Sequence, residues 1–398
     1  MTQPGLELKG RIPELDGLRG IAIALVLLHH YFFQPIEATP GSPLAYVQAA
    51  ARLGWSGVDL FFVLSGFLIG GILLDARNSS NYFSVFYTRR FFRIVPIYFV
   101  FLTIALSLYA FGSLGITSDF RWTFEHRLPW LPYFLFLQNF WMAFTTSFGA
   151  LGLTVTWSLA VEEQFYLTLP MLVRFLSRHG LVFALIGGII FAPISRIALH
   201  AFAPSHYLSW YGLMICRADA LLLGVVGAML LRSDVWNQRL ARHRRVLLLL
   251  TVPLGLGLAV LTLRASDPYG FAMLTVGYSW LALFYLSVIL CGLLYRQSWF
   301  GACLRWGWLG WLGSIAYGVY LFHELVRGVL RGLLSSGRPG RWTPRDFLVS
   351  LVALATTLLI CHLFWLFFEK PLIQRGHRAQ YQVRQPQVAG SLIMERGA

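Results

Sequence analysis

Gly57-Val58-Asp59-Leu60-Phe61-Phe62-Val63-Leu64-Ser65-Gly66-Phe67 sits inside an apolar stretch that runs from Trp55 to Leu74. A helix of about 20 residues crosses the roughly 30 Å hydrocarbon core of a bilayer. One such stretch does not decide a fold, because a soluble core also buries helices. Its repetition along the chain does. Comparable runs cover Leu18–Phe33, Phe91–Phe111, Leu131–Phe144, Leu159–Leu176, Leu181–Ala201, Trp210–Leu231, Val246–Leu263, Phe271–Tyr295, Leu309–Leu333 and Phe347–Phe368. No soluble core absorbs so many. The expected fold is all-α, a polytopic membrane helix bundle.

The 398 residues are 57% hydrophobic and 12% charged, about half the charged share of an ordinary globular protein. The net charge of +15 comes almost wholly from arginine, since Lys9 and Lys370 are the lysines. The arginines lie between apolar runs, which points to topology and anionic-lipid contact rather than nucleic acid. Cys216, Cys291, Cys303 and Cys361 are scattered through apolar stretches. Their spacing suggests neither a metal site nor a disulfide framework, so they read as packing residues. The first run ends in His29-His30-Tyr31 rather than at a small-residue cleavage site, and reads as a retained anchor.

Leu131–Phe144 is the weakest run. It is short, follows Pro129, contains Pro132 and carries Gln138 and Asn139. If it does not cross, the basic loops Arg77–Arg93, Arg174–Arg178, Arg232–Arg245, Arg296–Arg305 and Lys370–Arg384 share one side with Lys9 and Arg11. The positive-inside rule makes that side cytoplasmic. The sequence therefore predicts ten full spans, both termini in the cytoplasm, and a re-entrant or half-inserted segment at 131–144. Arg338, Arg341 and Arg345 fall on the opposite side and count against this topology. Residues 1–14 form a cytoplasmic N-terminal segment, 15–372 the membrane domain and 373–398 a polar cytoplasmic tail.

Ionisable groups within spans are expensive and mark function. In the first span Arg19 and His30 are eleven residues apart, which brings them within about 20° of one helical face and about 16 Å apart along the axis. Asp16 shares that face and His29 points away. Asp59 and Ser65 interrupt the second span. Arg90 and Arg93 lie one turn apart in Arg89-Arg90-Phe91-Phe92-Arg93-Ile94-Val95-Pro96, and guanidinium forks suit phosphate oxygens. Trp157-Ser158-Leu159-Ala160-Val161-Glu162-Glu163-Gln164-Phe165-Tyr166 places two carboxyl groups in a span, with Glu162 and Tyr166 one turn apart. The structural alternative for this motif is an ion pair with an arginine such as Arg217. Arg217-Ala218-Asp219 and Tyr317-Gly318-Val319-Tyr320-Leu321-Phe322-His323-Glu324 add further polar groups, and Glu369-Lys370-Pro371 closes the last span.

Taken in order, Leu15-Asp16-Gly17-Leu18-Arg19-Gly20-Ile21-Ala22 with His30, then the Gly57–Phe67, Arg89–Pro96, Trp157–Tyr166, Arg217–Asp219 and Tyr320–His323 motifs, resemble the acyltransferase-3 family of bacterial membrane O-acyltransferases. The resemblance extends roughly from Arg11 to Arg375. It implies a bundle of about ten helices that acylates carbohydrate hydroxyls, often with acetyl, in the bacterial cytoplasmic (inner) membrane. It implies that His30 is the catalytic base, with Arg19 and Glu162 in the catalytic group. Donor binding falls to Arg90, Arg93 and Arg19. Asp16, Asp59, Ser65, Trp157, Tyr166, Arg217, Asp219, Tyr320 and His323 then form an acceptor-binding or structural polar network. Some family members carry an additional hydrolase-like domain.

The expected donor co-substrate is acyl-CoA, in practice acetyl-CoA, with no permanently bound cofactor and no metal. Expected partners are a carbohydrate or glycolipid acceptor, membrane lipid and glycan-synthesis machinery, but not nucleic acid. Neutral His30 would take the acceptor's proton as it attacks the thioester, with an acyl-histidine relay as the variant. A multi-pass transporter of a small anionic or sugar-like solute is the alternative class.

Overall fold

A computed structural model describes residues 10–33, 41, 46, 53–113, 129–264, 267–334 and 344–382. These residues are overwhelmingly helical. Helix α1 (Pro13–Leu28) opens on a proline, whose missing N–H is no loss in a first turn, and runs into a π-helical turn at His29–Phe33. A 3₁₀ turn at Leu53–Ser56 leads into α2 (Gly57–Ala76), and α3 (Tyr82–Ser113) continues through Pro96. Two short helices follow, α4 (Trp130–Phe134) and α5 (Gln138–Thr145). Then come α6 (Thr156–Phe175), α7 (Arg178–Phe202), the short α8 (Tyr207–Gly212) and α9 (Met214–Arg232). The amphipathic α10 (Asp234–Arg242) precedes α11 (Arg244–Arg264), and a π turn at Met273–Gly277 leads into α12 (Tyr278–Leu294). The chain ends its described part with α13 (Trp299–Leu304), α14 (Gly307–Ser314), α15 (Ala316–Leu334), α16 (Pro344–Phe364) and α17 (Lys370–His377).

Eight helical stretches among the described residues are long and apolar enough to span a bilayer. Helices α6 and α15 are not among them, although they have 20 and 19 residues. At about 1.5 Å rise per residue that is close to the thickness of the hydrocarbon core. What sets them apart is charge: Glu162, Glu163 and Arg174 on α6, and His323, Glu324, Arg327 and Arg331 on α15. Eight apolar helices plus these two approximate the ten expected. The doubtful run at 131–144 forms no continuous helix. It breaks at Phe136, whose φ of 55° is left-handed. Gln164 Nε2 donates to the Phe136 carbonyl at 3.1 Å and to Asn139 Oδ1 at 2.9 Å, and Gln138 Nε2 donates to the Thr156 carbonyl at 2.8 Å. Broken backbone at this depth needs such internal partners.

Burial separates inner from outer helices. The central windows of α2 and α9 are 72% and 67% buried, whereas that of α11 is 11% buried and faces outward. Glycine sets how closely the inner helices approach. A Cβ at Gly66 would lie 1.8 Å from the Leu221 carbonyl oxygen, and one at Gly224 would lie 2.2 Å from that of Val63. Backbone therefore meets backbone where α2 crosses α9. Gly17, Gly20 and Gly313 do the same where α1 meets α13 and α14, with virtual contacts of 1.9, 2.2 and 2.1 Å.

One end of the bundle gathers the basic loops. Glu14 accepts from Arg305 at 2.9 Å and faces Arg296 at 3.7 Å, which ties the start of α1 to the α12–α13 connection. Asp75 at the end of α2 pairs with Arg232 at the end of α9, at 2.7 Å. Arg77 donates to the Leu176 carbonyl, and Arg174 donates to that of Arg77. The chain beyond α17 folds back here: Arg89 donates to the Ala379 carbonyl at 2.7 and 2.9 Å, and Asn81 donates to that of Gln380. So residues 377–382 of the expected tail are anchored on the start of α3. Arg338, Arg341 and residues 383–398 lie outside the described residues. All four cysteines are free, three of them buried.

Replacing Gly66 by valine should lower the melting temperature in detergent, at about 1–3 kcal/mol for forced overpacking. Gly310→Ala, where an added Cβ meets nothing within 4 Å, should leave it unchanged. Equal melting of both variants would contradict the close α2–α9 crossing.

Candidate active site

A cavity enclosing about 860 Å³ of empty space, its open mouth included, lies among α1, α2, α3, α6, α14 and α15. Its polar lining is Arg19, Arg90, Arg93, Glu162, Ser65, Ser158, Tyr166, Tyr317 and Tyr320, and its apolar lining includes Phe61, Phe62, Leu64 and Ile69. Three guanidinium groups thus face a space to which one carboxyl group, that of Glu162, contributes.

The three arginines are not equivalent. Arg19 donates to Asp16 at 3.1 Å, while Asp16 also accepts from Arg11 at 2.7 Å. Asp16 therefore orients Arg19, as its helical spacing predicts. Neither Arg90 nor Arg93 forms an ion pair with a described residue, and Arg90 Nε is buried without a hydrogen-bond partner. The Arg90 guanidinium lies 5.9 Å from the centre of the Tyr166 ring. Arg89, next in sequence, turns the other way and holds the folded-back tail. This divergence is the helical periodicity expressed in space: positions 90 and 93 share the cavity face and 89 does not. Ser65 and Tyr166 hydroxyls meet at 2.5 Å across the cavity, and Ser158 and Tyr320 hydroxyls at 2.5 Å.

Two buried ion pairs stand apart from the cavity. Arg217 pairs with Asp59 at 2.5 Å, with both side chains 1% exposed. It does not pair with Glu162 or Glu163, so the structural alternative for the glutamates is corrected. The reason is the α2–α9 crossing, which brings Asp59 directly against Arg217. Four rings enclose the guanidinium: Tyr278 at 3.9 Å, Tyr211 at 5.4 Å, Phe62 at 5.7 Å and Trp157 at 5.8 Å. Trp157 is thus part of a cation–π cage. Asp219 pairs with Arg196, a residue the sequence reading passed over. Arg196 spends all five of its N–H groups on Asp219, Ser279 and the Cys216 and Leu274 carbonyls.

His30 does not line the cavity. It lies beyond Tyr320, in a second cluster with His323, Glu324 and Arg327. The His30 and His323 ring centres are 5.0 Å apart, and the His323 and Tyr320 rings 5.9 Å. Arg327 donates to Glu324 at 2.8 Å and to the His30 carbonyl at 2.8 Å. Arg19 and His30 lie about 16 Å apart along α1, and the imidazole at the far end rests against His323 of α15 rather than in the cavity lining. Glu324 was legible as an intramembrane charge, Arg327 one turn on was passed over, and nothing in sequence tied either to His30. Glu369, 1% exposed beside Gly318, has no hydrogen-bond partner on either oxygen, and the structure assigns it no role.

This arrangement sits on a recognisable frame. Residues 12–366 match the family described as "Acyltransferase domain", and the chain belongs to that family. Among curated proteins it is similar to peptidoglycan O-acetyltransferase OatA of Listeria monocytogenes, 25% identical over 379 residues, covering 92% of this chain and 56% of that protein. It is 28% identical over 391 residues to putative peptidoglycan O-acetyltransferase YrhL of Bacillus subtilis, with the same coverage. It is 24% identical over 387 residues to putative O-acetyltransferase SACOL0978 of Staphylococcus aureus, covering 58% of that protein. The chain therefore spans a little over half the length of these relatives. No solved structure matches it.

Breaking a buried pair by removing one partner costs about 3–5 kcal/mol, because it strands the other charge. Asp59→Leu and Arg217→Met should each lower the melting temperature markedly, and the double variant should recover much of the loss. A double variant as unstable as the sum of the singles would show that the two side chains are not coupled.

Proposed function

We propose that the chain is a membrane O-acetyltransferase. It moves acetyl from cytoplasmic acetyl-CoA to a hydroxyl of an extracytoplasmic or membrane-linked carbohydrate, with His30 as general base. Family membership and O-acetyltransferase relatives support the reaction class. The observation that carries the donor assignment is the cavity with Arg90 and Arg93 left without ion-pair partners. Bidentate guanidinium groups bind phosphate oxygens, and the donor has several.

The geometry suits a long, thin donor. Its phosphates would lie on Arg90, Arg93 and Arg19 at the basic end of the bundle. The pantetheine arm would follow the apolar wall of Phe61, Phe62 and Leu64 toward Tyr320 and the His30 cluster. Along α1, Arg19 and His30 are about 16 Å apart, a span an extended arm can bridge. His30 then removes the hydroxyl's proton as oxygen attacks the thioester carbonyl. Glu162, facing the arginines with Ser65 and Tyr166, would position the donor end. The relatives' names point to a cell-wall glycan as acceptor, and glycan-synthesis machinery would be its source.

His30→Ala should abolish acetylation of envelope glycans at normal expression, and His29→Ala should be mild. Full acetylation by folded His30→Ala protein would reject the base. Arg90→Gln and Arg93→Gln should each weaken donor binding by about tenfold, about 1.4 kcal/mol, read as lost thermal stabilisation by acetyl-CoA. Stabilisation of wild type by free sugar but not by acetyl-CoA would favour a transporter instead.

A further inference from the structure

Three acceptor atoms converge where α1 meets α15. His30 Nε2 lies 4.0 Å from Glu324 Oε1, and His323 Nε2 lies 3.8 Å from the same oxygen. The three atoms fall within 4.8 Å of one another. The other ring nitrogens settle which tautomers are present. His30 Nδ1 is 2.9 Å from the Val26 carbonyl oxygen, and His323 Nδ1 is 2.8 Å from that of Tyr320 and 3.1 Å from that of Val319. A carbonyl only accepts, so each hydrogen sits on Nδ1. In the neutral rings both Nε2 atoms then carry lone pairs. Glu324 Oε2 is occupied by Arg327, while Glu324 Oε1 and His323 Nε2 are buried with no hydrogen-bond partner. Two lone pairs and a carboxylate oxygen converge within 4.8 Å of one another, and none of them brings a hydrogen.

Acceptors so arranged require a donor from outside. His323 is 0% exposed and Glu324 1% exposed, whereas the His30 side chain is 21% exposed. His30 is therefore the exposed member of the cluster. We propose that the acceptor hydroxyl supplies a hydrogen at this cluster, donating it to the Nε2 of His30 or of His323, and that His323 is a second catalytic imidazole. This rests on the transferase reading above. A hydroxyl carries one hydrogen, so it donates to one Nε2 at a time, at about 2.7–3.0 Å. Its hydrogen passes to the Nε2 of either ring, and the resulting imidazolium remains beside Glu324. The hydroxyl oxygen forms the new C–O bond with the thioester carbonyl carbon. The C–S bond breaks, and the departing thiolate takes the proton, leaving ester and free thiol.

A divalent metal is the competing occupant of two histidines and a glutamate. Zinc bonds of about 2.0–2.1 Å place tetrahedral ligands about 3.3 Å apart. The separations of 3.8 and 4.0 Å are wider than that, so a zinc ion would draw the three side chains together by about half an ångström.

The test is His323→Asn, whose amide keeps a donor for the Tyr320 carbonyl and removes Nε2. Acetate released by mild alkali from envelopes of cells expressing the variant should fall about 100-fold, the scale of acid–base catalysis. Melting temperature and thermal stabilisation by acetyl-CoA should stay at wild-type values. The double variant with His30→Asn should lose no more than His30→Asn alone, because the two rings act on one proton. Acetate within a few-fold of wild type would overturn the proposal, while a dead His30→Asn would leave the transferase reading standing. One divalent ion per purified chain, lost in His323→Asn, would overturn it as well. If His323→Asn does not fold, His323→Gln is measured in its place against the same outcomes.

Discussion

A charge placed in hydrocarbon must find its partner within the protein, and the bundle meets that requirement in two ways. Asp59 with Arg217 and Asp219 with Arg196 show the first. They are buried and surrounded by rings or carbonyls. Arg196 spends every donor within the protein, while Asp59 Oδ2 and Arg217 Nη1 keep no hydrogen-bond partner. The pairs hold α2, α7 and α9 at one register, because either partner alone would be a stranded charge. Arg90, Arg93, His323 and Glu324 show the second. Each keeps donors or acceptors that no described residue completes. In a low-dielectric interior an incomplete group is costly.

The incomplete groups form two sets of opposite character. At the basic end are cationic donors, suited to an anion. Beyond Tyr320 are lone pairs and a carboxylate, suited to a hydrogen or another positive centre. Helix α15 links them: Tyr317 and Tyr320 face the cavity, and His323 and Glu324 come one turn later. A reaction that joins a phosphate-bearing donor to a hydroxyl-bearing acceptor needs this pairing of unlike sites along one line. A transporter translocating a single solute has less use for two sites of opposite demand.

Much of this was legible in the amino-acid sequence, and the rest had physical reasons to be hidden. Spans are readable because the bilayer imposes a length and a composition on each of them. Arg90 and Arg93 were separable from Arg89 because helical periodicity alone decides their faces. Pair identities were not readable. The partner of Arg217 depends on which helices cross, and that depends on Gly66 and Gly224 allowing backbone contact. Arg196 escaped notice because a lone arginine in an apolar run carries no local motif. The contact of His30 with His323 was hidden for the same reason as the partner of Arg217, because it depends on α15 packing beside the end of α1.

The length of α1 explains how one helix serves both sites. Arg19 and His30 lie about 16 Å apart along its axis, the first in the cavity lining and the second against His323. Tyr320 of α15 touches both surroundings: it lines the cavity with its ring against Phe61 and its hydroxyl held by Ser158, and its ring lies 5.9 Å from that of His323. On the transferase reading, a donor anchored on the arginines must be long enough for its arm to pass Tyr320 before its reacting end meets the imidazoles, so the distance along α1 selects for length as well as for charge.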